Sequence, residues 1–560
     1  MAYKHGVYTT ETPTSLLPAV STEAGLIFCV GTSAQHLAKN PAGVNNPVLC
    51  YQFSEFIEQF GWDTDFEKYT LSEMASSQFQ LFNVSPIIFV NVLNPAKHYT
   101  EFAELKYGVT NHNAILEGAV ILDTIKITST GDERKIDLVE DTDYRAEVEV
   151  VEGEEMTVVN IKVGAELPSD VLELSYSFDD DDFTETKNAS DLPFYLPAGA
   201  TDITLKAVVV PVSEFILNED YTAAYNSDGK VEIQILNTDK VYSDTIEVAY
   251  HQYAPEKVTK EDIIGGYDVA TGKYTGLELV EQVYPKFRLT PGIIVAPKFS
   301  TDVTVAAVMK AKCVEINGVF NAVALCDIPT AEVKSYTEAA EYKNLKNLVD
   351  TNLIVCYPKV SIGGVQYHLS TQAASLMNKV DSQLGGDIPY ISPSNKNLQI
   401  DSCCLEDGTE IFYTLEQANY LNGQGIVTAL NFSQGWVLFG NRTSLYPSST
   451  DPKDSFISIR RTFYWLRNTL ILTYFSKVDA PITRRLIESI QDSVQIFLNG
   501  LTAKGVLNGG QLTFVSAENP TTDLMDGIIK FHLFINVPSP ARDLEFIVEY
   551  DASYLSGLFD

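Results

Sequence analysis

Ala24-Gly25-Leu26-Ile27-Phe28-Cys29-Val30-Gly31-Thr32-Ser33 reads as a buried strand running into a turn, because an unbroken apolar run bounded by glycine suits a strand covered on both faces. Phe53, Phe56, Ile57 and Phe60 then recur at helical spacing, Leu71 to Phe82 repeats the pattern, and Ile87-Ile88-Phe89-Val90-Asn91-Val92 is a second apolar strand. That strand-helix-helix-strand order predicts an α/β domain. The same character resumes near Thr275 and runs to about Asn397. Strands are expected at Gly292 to Ala296, Val323 to Cys326 and Leu353 to Tyr357, and a helix at Val303 to Lys312.

Between these halves, residues 101 to 256 alternate Val, Ile, Tyr and Thr and are punctuated by Asp and Gly, the pattern of half-buried strands joined by turns. They hold 34 acidic and 10 basic residues, a net of -24 within a chain of formal charge -35. A diverged repeat runs through them. Asp143-Tyr144 is followed by Leu172-Glu173-Leu174-Ser175-Tyr176, and Asp220-Tyr221 by Ile246-Glu247-Val248-Ala249-Tyr250. Two copies of one small β-sandwich-like module would give this spacing, as would convergent β patterning.

Beyond residue 405 the chain is more helical. Phe456 to Phe475 is apolar and aromatic with Arg460, Arg461 and Arg467 set into it. A second helix is expected from Asp479 as N-cap, with Pro481 in its first turn, apolar Ile482, Leu486, Ile490, Val494 and Leu498, and Gly505 past its end. Strands are expected at Gln511 to Val515, Gly527 to Val537 and Leu544 to Tyr550. The expected fold is α+β and multi-domain. It comprises an extended arm at 1–20, a discontinuous α/β domain at 21–100 and 257–405, the acidic β insertion at 101–256, an α+β domain at 406–542 and a C-terminal arm strand at 543–560.

Composition narrows the function. A chain of 560 residues with 45% apolar content fills several cores, and its acidic balance argues against a nucleic-acid partner, which needs a basic face. The Met1-Ala2-Tyr3-Lys4-His5-Gly6-Val7 start lacks a signal-peptide core, and no run approaches the roughly 20 apolar residues of a membrane span, so neither export nor membrane insertion is expected. The seven cysteines are scattered without a C-x-x-C pair, which points to reduced packing residues. No catalytic, cofactor or metal site is expected. Gly272-Lys273 departs from a phosphate-binding loop in spacing and has Tyr274 where Ser or Thr belongs, and Gly423-Gln424-Gly425 lacks a third glycine. Asp179-Asp180-Asp181-Asp182 lacks the spaced oxygens of a calcium loop and reads as a solvated acidic turn.

One ordered set of segments remains. Trp436, Gly440, Arg442 and Thr443, followed by Ile459-Arg460-Arg461, resemble the W-x-x-G-x-R-T and N-V-R-R signatures of contractile phage tail sheath proteins. Gly505-Val506-Leu507-Asn508-Gly509 is similar to that family's G-A-L-x-G turn, and Asn519, Asp523 and Gly527 to its N-T-x-x-D-x-x-x-G. Val537-Pro538-Ser539-Pro540-Ala541 is similar to its P-x-x-P-A-E, with Arg542 replacing the acid. Landmarks in the α/β part, among them Cys326-Asp327-Ile328-Pro329 and Ser392-Pro393-Ser394-Asn395-Lys396, resemble the same family. Val84-Ser85-Pro86 departs from its usual G-G.

The resemblance implies a non-enzymatic subunit, without cofactor, that polymerises with itself around a tail tube protein and contracts. Baseplate and tail terminator proteins would be its further partners. It would be assembled in a host bacterial cytoplasm and reside in a virion tail or a related contractile injection machine. The other reading, a surface adhesin or carbohydrate-binding protein, rests on the acidic β repeats. Within the family reading, Tyr3, His5 and Val7 at one end and Leu544, Phe546, Val548 and Tyr550 at the other are candidate inter-subunit arms. Arg484, Arg485 and Lys504 are candidates for facing the tube. Arg460 and Arg461 are open between tube contact and internal salt bridges.

Overall fold

A computed structural model of the chain describes residues 22–554 except 110–111, 152–153, 163–164, 166, 170, 179–180, 189, 191–193, 198–199, 227–228 and 243–244. The arm candidates Tyr3, His5 and Val7 lie outside the described residues. The chain divides into two compact units, one of residues 1–94 and 255–560, the other Pro95–Ala254.

The first unit is built on a nine-stranded sheet. Ile87–Asn91, Ile27–Gly31, Ile293–Val295, Val323–Asp327, Leu353–Cys356 and Ile426–Asn431 lie side by side and parallel. Val48–Cys50 closes one edge and Trp436–Phe439 with Lys396–Asn397 the other, all antiparallel. The parallel strands are buried almost throughout, the reason their sequences show unbroken apolar runs. Phe53–Phe60 forms the expected helix and places Phe56 and Phe60 against Phe89. The expected Leu71 to Phe82 helix divides into an α-helix at Thr70–Ala75 and a wider π turn at Ser76–Leu81. The expected 405/406 boundary does not coincide with a break in this sheet, because Ile426–Asn431 pairs with Leu353–Cys356 across it.

After the sheet, Ile457–Tyr474 and Arg484–Ala503 are the two long helices, and Phe456, Ile459, Trp465 and Leu466 share a core with Val494, Leu498, Leu501 and Val537. The second helix begins four residues later than the Asp479 N-cap expected. Asp479 takes φ +64° in the preceding turn, and Thr483 caps the helix by accepting the Leu486 N–H at 3.1 Å. Gly527 does not open a strand. Thr521–Met525 is helical, and the strand begins at His532, where His532–Asn536 pairs antiparallel with Gly509–Thr513 as a two-stranded sheet. Among the described residues, Leu544 to Tyr550 is not a strand and has no strand partner.

The second unit contains two sandwiches on one plan. In one, the sheet Asp181–Asn188, Val171–Phe178, Thr201–Val209, Arg134–Leu138 shares a core with the sheet Phe194–Pro197, Glu154–Ile161, Tyr144–Val151. In the other, Tyr99–Gly108, Thr245–Tyr253, Val120–Thr130, Val212–Glu214 shares a core with Asn113–Leu116, Val231–Ile235, Tyr221–Tyr225. The strand orders correspond one to one. The first sandwich is a continuous stretch of chain, whereas the second draws three strands from before it and four from after. Each carries the same turn: the Val139 N–H donates to Asp143 Oδ2 and the Ile216 N–H to Asp220 Oδ2, both at 2.8 Å, and Asp141 and Asn218 both take positive φ.

Candidate functional site

Six of the signature residues, Trp436, Gly440, Arg442, Thr443, Arg460 and Arg461, gather around the joint between the large sheet and the Ile457–Tyr474 helix. Trp436 begins the Trp436–Phe439 strand, and Gly440 follows it at φ +140°, where an added Cβ would lie 3.0 Å from the Val427 backbone and 2.7 Å from the Asn422 side chain. Glycine at 440 thus lets the chain turn close under the sheet. Arg442 stacks over the Phe456 ring at 3.7 Å and the Tyr446 ring at 4.5 Å, and donates to Ser455 Oγ at 2.6 Å. The Thr443 hydroxyl donates to the Asp454 carbonyl at 2.7 Å. These contacts tie the turn after the strand to the start of the helix.

Arg460 and Arg461 are internal. Arg460 pairs with Asp454 at 2.8 Å and lies over Tyr464. Arg461 spans both oxygens of buried Asp381 and also donates to the Ala24 carbonyl at 3.0 Å, clamping the helix to the Leu369–Gln383 helix and the chain before Ile27. Asn519 holds a loop shut through the Val515 and Lys530 carbonyls and the Lys530 N–H, while Asp523 pairs with Lys530 at 2.8 Å. Gly527, at φ +82°, ends that loop's helix. These signature positions act on the fold of the chain itself.

The candidates for outward contact are elsewhere. Arg484 and Arg485 are exposed in the first turn of Arg484–Ala503, and Lys504 is exposed just past its last turn, about 30 Å away along a helix of this length. The structure therefore does not bring the three together. The helix has no acid in its first turn, so both arginines sit where its dipole disfavours positive charge, and Glu488 answers only Arg484, at 2.7 Å. Beside this helix, an apolar groove of about 720 Å³ runs between Leu470, Tyr474, Leu486 and the two-stranded sheet at Leu512 and Leu533. That sheet has both outer edges unpaired among the described residues. Leu544, Phe546, Val548 and Tyr550 are 74%, 86%, 91% and 83% exposed.

Sequence reading missed a buried polar network at the carboxyl end of the parallel strands. His368 Nδ1 meets Glu73 at 2.8 Å, Asp327 accepts the Ser370 N–H at 2.9 Å, and buried Lys359 joins Glu67 and Glu406 at 2.9 and 2.8 Å. Burial alone would lower the His368 pKa, but the Glu73 carboxylate and its hydrogen bond outweigh that and hold it above the ordinary value. Every one of these charges is answered from within, and no group of three or more His, Cys, Asp or Glu among the described residues is arranged to hold a metal. No described helix is long and apolar enough to cross a membrane.

No family model matches the chain. A tail sheath protein of Burkholderia phage BcepMu is 30% identical over 331 residues, covering 56% of this chain and 66% of that protein. A putative prophage major tail sheath protein of Pseudomonas aeruginosa is 26% identical over 310 residues, covering 53% of this chain and 74% of the relative. The first match thus spans a little under two thirds of the relative's length. Among solved structures, a sheath tail protein of Desulfitobacterium hafniense aligns over 91% of this chain and 94% of its own, at 10% identity and a TM-score of 0.43.

Proposed function

The chain belongs to the contractile tail sheath protein family, and from that premise we propose that it polymerises around a tail tube and contracts to drive the tube through a cell envelope. The observation that carries this reading is a complementary pair within one chain. Among the described residues, a two-stranded sheet with unpaired edges lies beside an apolar groove, and a C-terminal segment of alternating apolar residues has no strand partner. Unpaired edges are templates for strand addition, and the segment's exposed backbone groups are what such an edge would satisfy. A second copy supplies both halves, so the union repeats without limit. The N-terminal arm of residues 1–20 is proposed to act the same way.

Energy for contraction would be stored in these interfaces and released cooperatively, without nucleotide. A tail tube protein is the proposed inner partner, baseplate and terminator proteins cap the polymer, and a virion tail or related injection machine is its setting. A surface adhesin gains no support from the relatives. The test removes residues 543–560 from the full chain. A variant that keeps its circular dichroism and melting transition but sediments as a monomer upholds the linkage, and tubes of normal appearance in electron micrographs would overturn it.

The Pro95–Ala254 unit carries most of the chain's acidic excess, and we place it at the periphery, where its charge keeps particles apart. Replacing residues 95–254 with a short linker is expected to leave a soluble chain that assembles. Loss of all assembly in a folded variant would show that the unit belongs to the polymer's frame.

A further inference from the structure

Arg442 and Arg542 stand on the walls of one polar cavity of about 510 Å³. The cavity lies between the turn after Trp436–Phe439, the end of Leu415–Gly423 and the start of the C-terminal segment, with Asn395, Asn419 and Asn441 on its walls. Among the described residues neither guanidinium forms an ion pair, and Asp543, on the same wall, joins neither. Arg442 spends one amino group on Ser455, while its buried Nε has no partner. Burial lowers its pKa, and the like charge of Arg542 lowers it further against the opposing pull of Tyr446. Two positive groups facing a half-enclosed space are costly in an isolated chain, and a carboxylate between them would relieve that cost while matching the fork of each guanidinium.

We propose that this cavity is a carboxylate-binding site filled by an acidic side chain from a second copy of the chain. The proposal rests on the polymer reading for its occupant and on the two arginines for its chemistry. A second copy fits because the chain has 74 acidic and 39 basic residues, so it brings carboxylates in large excess over its own cations. The cavity wall at residues 541–543 is also the root of the unpaired C-terminal segment. A carboxylate seated there would fix the direction in which that segment leaves, and occupancy would couple one subunit's position to its neighbour's arm. Arg542 stands where the P-x-x-P-A-E pattern carries an acid. That pattern would neutralise Arg442 from within, whereas here the neutralising charge comes from outside.

The test compares the full-length wild type with Arg542→Ala and Arg542→Glu, with malonate as a free dicarboxylate at constant ionic strength. On the unassembled chain, malonate is expected to raise the melting temperature of the wild type and not of Arg542→Glu, where the new acid faces Arg442. In sedimentation, Arg542→Ala is expected to need roughly tenfold more protein to assemble, the effect of losing one interfacial charge pair. Malonate should inhibit wild-type assembly in the same way. A wild type whose melting and assembly both ignore malonate overturns the site. A malonate shift that depends on Arg542, combined with unchanged assembly of Arg542→Ala, overturns the second copy as occupant. A wild type that never polymerises yet keeps the Arg542-dependent shift would sink the polymer reading and uphold the site.

Discussion

Two Arg-Arg pairs lie near the starts of consecutive helices and have opposite surroundings. Arg460 and Arg461 are buried, with Asp454 and Asp381 waiting for them, and they bind the helix to the sheet's supporting elements. Arg484 and Arg485 project into solvent from the first turn of Arg484–Ala503, where only Glu488 answers. The difference lies in what surrounds each pair. A charged pair earns an internal role when acids from distant segments converge on it and water is excluded. Without them the same dipeptide stays in solvent.

The comparison is sharpened most by removing one half of the most buried pair. Arg461→Met leaves the enclosed Asp381 carboxyl without its partner, and is expected to destabilise the first unit by about 3–5 kcal/mol, read as a lower denaturation midpoint. The double variant Arg461→Met with Asp381→Leu should recover much of the loss, because the cost lies in the orphaned buried carboxyl. Equal loss in the single and double variants would mean that Arg461 serves by packing alone.

Lys343 extends the contrast to a buried cation with no acid beside it. It is fully buried and donates to the Gln424 and Tyr446 carbonyls at 2.6 and 3.0 Å. Burial pushes its pKa from 10.5 down to about 8. In the unfolded chain the amine stays protonated to a higher pH, so between pH 8 and 10.5 the unfolded state binds more protons and stability rises with pH on this account. Below pH 8 the cost of burying the charged amine is borne in full. Wild-type stability relative to Lys343→Met is expected to rise across this window by an amount on the order of 3 kcal/mol. Parallel pH profiles for the two proteins would remove the assignment.

The sequence made the buried strands legible because a strand covered on both faces has no polar alternation to confuse it. Ile27–Gly31, Val323–Asp327 and Leu353–Cys356 fall within a residue or two of the apolar runs that announce them. The helix start at Thr483 was harder to read, since Asp479 followed by Pro481 offers an equally good capping pattern four residues early, and only the φ of Asp479 decides between them. Pairings across long separations were not legible. Nothing local tells Asp381 that Arg461 lies opposite, and nothing in the acidic repeat tells Val212–Glu214 to join Val120–Thr130 across an intervening sandwich. Leu544 to Tyr550 shows the reverse case. Its alternation is plain, but among the described residues no edge pairs with it, so the pattern records a need without naming the element that meets it.

The smallest effect on stability should come from the exposed arginines, and that makes them the cleanest probe of the outer surface. Reversing both, Arg484→Glu with Arg485→Glu, removes positive charge from the positive end of the helix dipole, a local gain set against loss of the exposed Arg484–Glu488 pair. The net change in the melting transition is expected to be small, as for exposed substitutions away from packing contacts. On the proposed reading that this helix end meets an acidic tube surface, the double variant should fold as the wild type does yet dock poorly on the tube, with the defect greatest at low salt, where charge complementarity acts at longest range. Wild-type tube decoration at low salt by a fully folded double variant would show that this helix end faces something other than the tube.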